Sequence, residues 1–384
     1  MSVIALIDLT RLLAANKLPS HILLTLTHLI LIPKFAPAAG NFQLDLKKRI
    51  QDYFANTGKS TSGGSKIFTK GIVLLLVFGA LYVHLIWFTP STLFAVLECV
   101  LLGCVISSIG FNVMHDGAHG SFSNRRWINF LAAFSLNILG GNSFMWNMKH
   151  NIIHHAYTNI DGVDDDIDIQ PWLRMSDTQK KYRMHKYQHL YFWFLYSMFY
   201  LFWVFVLDYQ KYFKRRIGNM ALKRMSVYDH VVFWAFKLVH YFLFMVLPIL
   251  MLGWLPWLVG FLVVGLVAGF VLSIVFQLAH TVEHTAFPSA VAETNKMPDE
   301  WAVHQIKTTA NFATQSKLVS WLIGGLNFQI EHHLFPKISH IHYPALSKII
   351  RQLCDEYGLS YIEYPYMLQA VVSHVTYLRK MGRA

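Results

Sequence analysis

The sequence predicts an all-α, multi-pass membrane protein. Hydrophobic residues make up 54% of its 384 residues and charged residues only 14%, whereas about 25% of a soluble domain is charged. Several apolar runs approach the roughly 20 residues that a helix needs to cross a bilayer. The formal net charge of +12 lies mainly between those runs. Such placement is typical of membrane orientation, so we expect no nucleic-acid partner.

Four apolar runs are predicted to span the membrane, at residues 71–88, 92–113, 231–254 and 255–279. A fifth run, Leu190–Leu207, has basic residues before and after it, which places both of its ends on the cytoplasmic side. We therefore interpret this run as a surface helix. An even number of crossings then returns the last span to the side of the histidines at 115–119 and 150–155.

The rest of the chain is predicted to form an extension, an amphipathic segment and a cytoplasmic domain. Residues 1–34 form an N-terminal extension of uncertain role. Residues 35–70 contain an amphipathic helix, expected on the membrane surface, and a Gly/Ser-rich linker. Residues 71–384 form one domain, with its histidine-rich part on the cytoplasmic side. Within it, residues 127–146 are expected to be interfacial or re-entrant, and residues 301–322 are expected to form a helix.

Ionisable residues inside the spans are few. A carboxylate within a span is costly, so Glu98 is expected either to contact His84 or to reach the outer interface. Lys237 is expected to extend its ammonium to the cytoplasmic interface; lining a substrate path is the alternative. These residues and His240 form no continuous polar path. A metal transporter is therefore the weaker interpretation.

Three histidine clusters give the strongest functional signal. Histidines four residues apart share one face of a helix and can bind one metal, whereas adjacent histidines point in different directions and can serve two. Neutral imidazole suits iron, zinc, copper and nickel. Seven clustered histidines exceed the three or four ligands of a zinc site, which favours two metals. The seven are His115, His119, His150, His154, His155, His332 and His333.

Further residues are expected near this metal site. His280 follows the last span and is expected to be an eighth ligand, with His284 nearby. Asp116 and Glu331 lie inside clusters and are expected to accept hydrogen bonds from imidazoles, although both could be ordinary surface residues. The acidic stretch at 161–168 could bind a cation or an electron donor, or could pair with neighbouring basic groups.

The clusters and their flanking residues resemble the membrane fatty acid desaturases. The matching segments are HDGAHGS at 115–121, KHNIIHH at 149–155 and QIEHHLFP at 329–336. The glutamine that opens the last segment resembles the front-end (delta-5/delta-6-like) branch and its bacterial acyl-CoA and acyl-lipid relatives. The resemblance extends from about residue 35 to the end of the chain.

This resemblance implies an enzyme that introduces a cis double bond into an acyl chain with O2 as co-substrate. It implies two iron ions held by the eight histidines named above. The substrate would be a fatty acyl-CoA or an acyl lipid taken from the surrounding membrane lipid. A bacterial cytoplasmic membrane is favoured over the endoplasmic reticulum. A fatty acyl or sphingolipid hydroxylase of the same superfamily is the main alternative, because it would share the metal site.

Two departures from the family pattern stand out. The sequence contains no His-Pro pair, so the haem motif of a fused cytochrome b5 domain is missing. We expect a separate electron donor of the ferredoxin or cytochrome b5 type. Gln329 also stands where many relatives have histidine. Because an amide is a poor iron ligand, we expect Gln329 to hold a water or to leave a position open.

Overall fold

The structure is a computed structural model that describes residues 32–36 and 41–384. Most of the predicted extension at 1–34 lies outside the described residues. The helices are α1 (Phe42–Thr57), α2 (Gly64–Phe88), α3 (Thr92–His119), α4 (Arg126–Ile138), α5 (143–157), α6 (Arg183–Lys214), α7 (Val227–Leu252), α8 (Trp254–His280), α9 (Trp301–Thr308), α10 (Lys317–Leu322), α11 (Gln329–Leu334), α12 (Tyr343–Glu356) and α13 (Met367–Met381). Short strands pair Arg216–Ile217 with Met220–Ala221 and Asn311–Phe312 with Glu363–Tyr364. The predicted all-α membrane class is confirmed.

Five of the described helices, α2, α3, α6, α7 and α8, are long and apolar enough to cross a membrane. The sequence predicts four spans, one fewer than these five candidate helices. The additional candidate is α6, which contains the run Leu190–Leu207 that the sequence favours as a surface helix. The number of helices that actually cross stays a prediction, and the contacts of α6 bear on it.

Both ends of α6 contact the same loop. Near its start, the His185 ring lies 2.7 Å from the carbonyl oxygen of Pro171. Near its end, the ammonium group of Lys211 lies 3.1 Å from the carboxylate of Asp165. Between these ends α6 packs closely on α8, where Gly269 has no side chain; a Cβ there would lie only 2.1 Å from a backbone oxygen of α6. This geometry favours an α6 that packs across the bundle with both of its ends on the same side.

The helices α3 and α8 lie side by side and run in the same direction. Gly103 of α3 packs directly against the backbone of Val264 in α8. One turn further along both helices, the Ser107 hydroxyl donates a hydrogen bond to the carbonyl oxygen of Ala268, at 3.3 Å. Both helices therefore finish at the same end of the bundle. There α3 carries the first histidine cluster and α8 carries His280.

The amphipathic helix α1 forms as predicted, but its apolar face has a different partner. Phe42, Leu46 and Ile50 are buried in a cluster with apolar residues of α9 and α12. The expected position on the membrane surface is therefore wrong for this face, because protein covers it. The predicted helix at 301–322 is also wrong. Its middle, Asn311–Phe312, leaves the helix to pair with Glu363–Tyr364.

Two of the ionisable residues in the predicted spans, His84 and Lys237, have side-chain partners on other helices. His84 lies 2.9 Å from Glu98, so the contact between these residues is present. Lys237 is only 2% exposed and does not extend to the interface as expected. Its ammonium group lies 3.0 Å from Asp208 of α6 and donates to the carbonyl oxygen of Gly140, at 2.6 Å. A partner inside the protein therefore replaces water around the charge.

We expect Lys237→Met to destabilise the protein by about 3–5 kcal/mol, because the substitution leaves the buried Asp208 carboxylate without its cation. Unfolding of the detergent-solubilised protein, followed by circular dichroism, measures this loss. The double variant Lys237→Met/Asp208→Asn should recover most of the stability, since no buried charge remains. A single variant as stable as the parent protein would show that the pair is not coupled.

Candidate metal centre

The first histidine pair is positioned by the end of α3. A π-helical turn at Gly110–Met114 shifts the register of the helix just before the cluster, and π turns add one residue to the local winding. The chain then returns to α-helical winding over His115–His119, and Gly120 ends it with a left-handed φ of 76°. His115 and His119 therefore lie one turn apart, with ring centroids separated by 4.6 Å.

The second cluster lies on α5, whose start is capped by the side chain of Asn142. The sequence predicts that His150 and His154 share an α-helical face. In the structure, residues 147–154 are π-helical, and the rings of His150 and His154 still lie close together, with centroids 5.3 Å apart. His150 faces His115, with their Nε2 atoms 3.2 Å apart, and His154 faces His280, with ring centroids 4.8 Å apart.

Most of the predicted ligands fall into two groups at one end of the bundle, and a third set, His150, His154 and Asp166, links the two. One group has four histidines and the other has three. Within each group, one nitrogen of every ring lies within 4.8 Å of one nitrogen of each other ring. His155 lies between them, with its ring 4.6 Å from that of His332 and 4.4 Å from that of His333. The four-histidine group is His115, His119, His150 and His332, and the three-histidine group is His154, His280 and His333.

The ring nitrogens fit a metal pair chemically. Seven of these eight rings have a buried nitrogen without a hydrogen-bond partner in the described part of the chain. A buried polar atom left unpaired normally costs about 1–3 kcal/mol, so this concentration needs an explanation. A neutral imidazole nitrogen is a good metal donor. Coordination would satisfy the unpaired Nε2 atoms, which belong to His119, His154, His280, His332 and His333.

Hydrogen bonds at the opposite ring nitrogens orient the three-histidine group. His154 donates from Nδ1 to Asp164, at 3.0 Å. His280 donates from Nδ1 to the carbonyl oxygen of Thr308, at 3.2 Å, and His333 donates from Nδ1 to Gln305, at 2.9 Å. Each bond selects the tautomer whose Nε2 lone pair is available to a metal. All three Nε2 atoms are among the unpaired ones.

Several of these orienting residues were missed by sequence reasoning. Gln305 and Thr308 lie on α9, far from any cluster in sequence, and Tyr343, whose hydroxyl is 3.2 Å from Nδ1 of His332, begins α12. No local pattern identifies them, because their role depends on long-range packing. Asp164 had a signal, since it lies in the acidic stretch ten residues after His154.

The acidic stretch is paired with basic groups and with the cluster. Lys149 lies 2.7 Å from Asp166, and Lys211 lies 3.1 Å from Asp165. Burial opposes a charge on His154, but the carboxylates of Asp164 and Asp166 outweigh it and raise the pKa of this ring. The alternative in which basic neighbours pair with this stretch is therefore the observed one.

In the neighbouring rings the pKa is shifted in the opposite direction, downward. Burial, reinforced by the other imidazoles, holds the pKa of His155 well below its usual value. The pKa of His333 is lowered in the same way. Rings with these pKa values are neutral at physiological pH and keep a lone pair to donate.

The other residues predicted near the site occupy different environments. Asp116 accepts a hydrogen bond from His340, at 2.8 Å, and lies 3.9 Å from His115. Glu331 accepts hydrogen bonds from Asn311 and Tyr361 rather than from an imidazole of the described residues. Burial raises the pKa of Glu331 to about 7, against the opposing effect of those two bonds.

Two further predicted residues lie outside the two histidine groups. His284 is exposed and has a left-handed φ of 75°. The structure therefore gives no geometric support to its expected place near the ligands. Gln329 is 1% exposed and begins α11, the helix that carries His332 and His333.

The fold and the two groups together define an α-helical membrane protein with buried histidines able to hold metal at one end of the bundle. The chain belongs to the fatty acid desaturase family, whose sequence profile matches residues 90–365. It is a fatty acyl desaturase, as its similarity to characterised relatives also indicates. It is 32% identical over 344 residues to the sn-1 linoleoyl-lipid 6-desaturase of Arthrospira platensis, covering 89% of this chain and 92% of that protein.

Two other relatives show the same breadth of similarity. A protein of the same name from Synechocystis is 32% identical over 363 residues, covering 91% of this chain and 98% of that protein. The acyl-lipid (8-3)-desaturase of Physcomitrium patens is 32% identical over 346 residues, covering 89% and 72% respectively. The similarity therefore covers the spans and the histidine groups alike.

We expect Asp164→Asn to lower metal affinity at the three-histidine group about 10- to 100-fold, because the hydrogen bond that orients His154 is weakened. Anaerobic titration of the metal-free protein with ferrous ion measures the affinity. Asp168→Asn is the matched control, since Asp168 is an exposed aspartate of the same loop. Equal affinities in the two variants would contradict an orienting role for Asp164.

Proposed function

We propose that the enzyme uses O2 to remove two hydrogens from neighbouring carbons of an acyl chain at a pair of irons. The observation that carries this proposal is the division of the histidines into two adjacent groups. The four-histidine group would hold one iron and the three-histidine group the other, with His155 facing both. The acyl chain, O2, two electrons and two protons would give a cis double bond and two waters.

Iron is favoured by the combination of ligands and chemistry. Imidazole also suits zinc, but zinc has no redox chemistry and cannot support an oxygen-dependent oxidation. When bound, the iron pair would supply the oxidising power that amino-acid side chains lack. The protein then has to hold the metals, keep water away and position the acyl chain.

The surroundings of the histidines are suited to those tasks. All eight rings are at most 8% exposed, which keeps bulk water from the site. The indole of Trp146 stacks on His150, at a centroid distance of 4.4 Å, and Phe276 lies 6.0 Å from the same ring. A small cavity beside His150 is lined by aromatic residues, Phe199, Trp203 and Phe276 among them, and also by charged residues, namely Lys149, Asp166, Asp208 and Lys211. The aromatic part of this lining is where we place the reacting methylene groups.

The electrons are proposed to come from a separate ferredoxin or cytochrome b5 type protein. The net charge of +12 would attract an acidic donor. The basic residues flanking α6 support a metal centre on the cytoplasmic side, in a bacterial cytoplasmic membrane. Gln329, buried beside the ligand-bearing turn of α11, is proposed to hold a water or to leave one metal position open.

Expression in a host that lacks polyunsaturated lipids, together with a competent electron donor, tests the activity. We expect mass spectrometry to show products that are two hydrogens lighter than their precursors. A gain of one oxygen would indicate a hydroxylase instead. An unchanged lipid profile with an active donor would contradict the proposal.

We expect His333→Ala to lose one of the two proposed irons and nearly all activity, because the three-histidine group would keep only two ligands. The iron content of the purified protein, measured by plasma emission spectrometry, reports this directly. His284→Ala is the control, since this exposed histidine lies outside both groups and should leave iron content unchanged. Equal iron in the two variants would argue against the assignment of His333.

A further inference from the structure

A second concave site lies beside the metal centre. It is a cavity of about 950 Å³ between the first turns of α2 and the segment that runs from α10 to α12. Its size is that of a small-molecule site. Three lysines line it, Lys66, Lys70 and Lys317, and the lining residues that the structure describes include no aspartate or glutamate. This lining favours a negatively charged ligand.

Lys70 is the innermost of these cations. It is only 8% exposed, and its ammonium group lies 3.3 Å from Nε2 of His340 and 5.1 Å from the centre of the Trp321 ring. No carboxylate forms an ion pair with it among the described residues. A buried cation is costly without an anionic partner. An anion in the cavity would provide that partner.

The inner wall of the cavity connects to the four-histidine group. His340, which contacts Lys70, donates from Nδ1 to Asp116, at 2.8 Å. Asp116 is the sequence neighbour of His115 and lies 3.9 Å from its ring. Phe328, another lining residue, immediately precedes α11 and its two histidines. His340 and Asp116 thus link a group bound in the cavity, through Lys70, to the proposed ligand His115.

The remaining walls match an amphipathic ligand at a membrane surface. Ser65 and Thr69 offer hydroxyl groups, whereas Ile67, Val73 and Ile341 offer apolar surface. The cavity adjoins the start of α2, a candidate span that begins at Gly64. If α2 spans the membrane, its first turn would lie near the lipid phosphates, where basic side chains are favoured.

We propose that this cavity binds the phosphate of a glycerophospholipid that carries the acyl chain to be desaturated. Lys66 and Lys317, both exposed at the rim, would meet the phosphate first, and Lys70 would neutralise it from within. Charge-assisted hydrogen bonds from lysine to phosphate are among the stronger polar contacts. This inference rests on the proposed function and extends it by naming the chemical class of the acyl carrier.

The test compares three acyl donors with identical acyl chains: phosphatidylglycerol, monogalactosyl diacylglycerol, which has no phosphate, and acyl-CoA. We expect the double variant Lys66→Gln/Lys317→Gln to raise the KM for phosphatidylglycerol about tenfold, since two contacts to a charged group are lost. Its kcat and its KM for the galactolipid should stay close to those of the parent enzyme. Lys47→Gln/Lys48→Gln removes the same charge from exposed positions outside the cavity and is the matched control.

Phospholipid binding is measured separately, so that failure of the cavity assignment differs from failure of the activity. Native mass spectrometry of the detergent-solubilised protein counts retained phosphatidylglycerol. We expect less retention by the Lys66→Gln/Lys317→Gln variant than by the control, even in metal-free protein. Equal KM and equal retention in the two variants would overturn the proposal. A tenfold effect confined to acyl-CoA would also overturn it and assign the lysines to the phosphates of coenzyme A. An absence of product from every donor would instead contradict the proposed function.

Discussion

The structure depends on packing eight imidazoles into one dry volume, which is possible only if nearly all of them are uncharged. Burial and mutual repulsion lower the pKa of rings such as His155 and His333. Neutral rings still have nitrogens that must be satisfied, and seven are unpaired in the described residues. In His154, His280 and His333, hydrogen bonds fix the Nδ1 atoms, and the unpaired Nε2 atoms converge.

The direction of the helices follows from this requirement. Because α3 and α8 run in parallel and end together, ligands more than 150 residues apart in sequence reach the same level. The second cluster lies on a helix between them that does not need to span the membrane. Lys211 and Lys149 pair with the loop at 165–166, and this loop also contacts His154. The membrane-embedded part and the site are therefore joined through one charged loop.

Much of this arrangement could be predicted from the sequence. The spans follow from apolar length, and the ligand candidates follow from histidine spacing and from parity of crossings. The π-helical winding at 147–154 could not be predicted, because histidine spacing does not reveal it. Lys237 was expected at the interface because Asp208, its partner, lies far away in sequence. The protein partner of the apolar face of α1 could not be predicted either, since an apolar stripe packs equally well against lipid and against protein.

The adjacency of His332 and His333 has a consequence for the spacing of the two proposed metal positions. These consecutive residues contribute to different groups, and consecutive Cα atoms are held about 3.8 Å apart by a planar peptide. The peptide unit between these two residues of α11 therefore fixes the distance between their Cα atoms. Rotation of other side chains can shift each proposed metal position, but this Cα–Cα distance stays constant. An insertion or deletion next to these residues would turn α11 by about 100° and misplace both groups at once, so the length of this segment is far less free to vary than its composition.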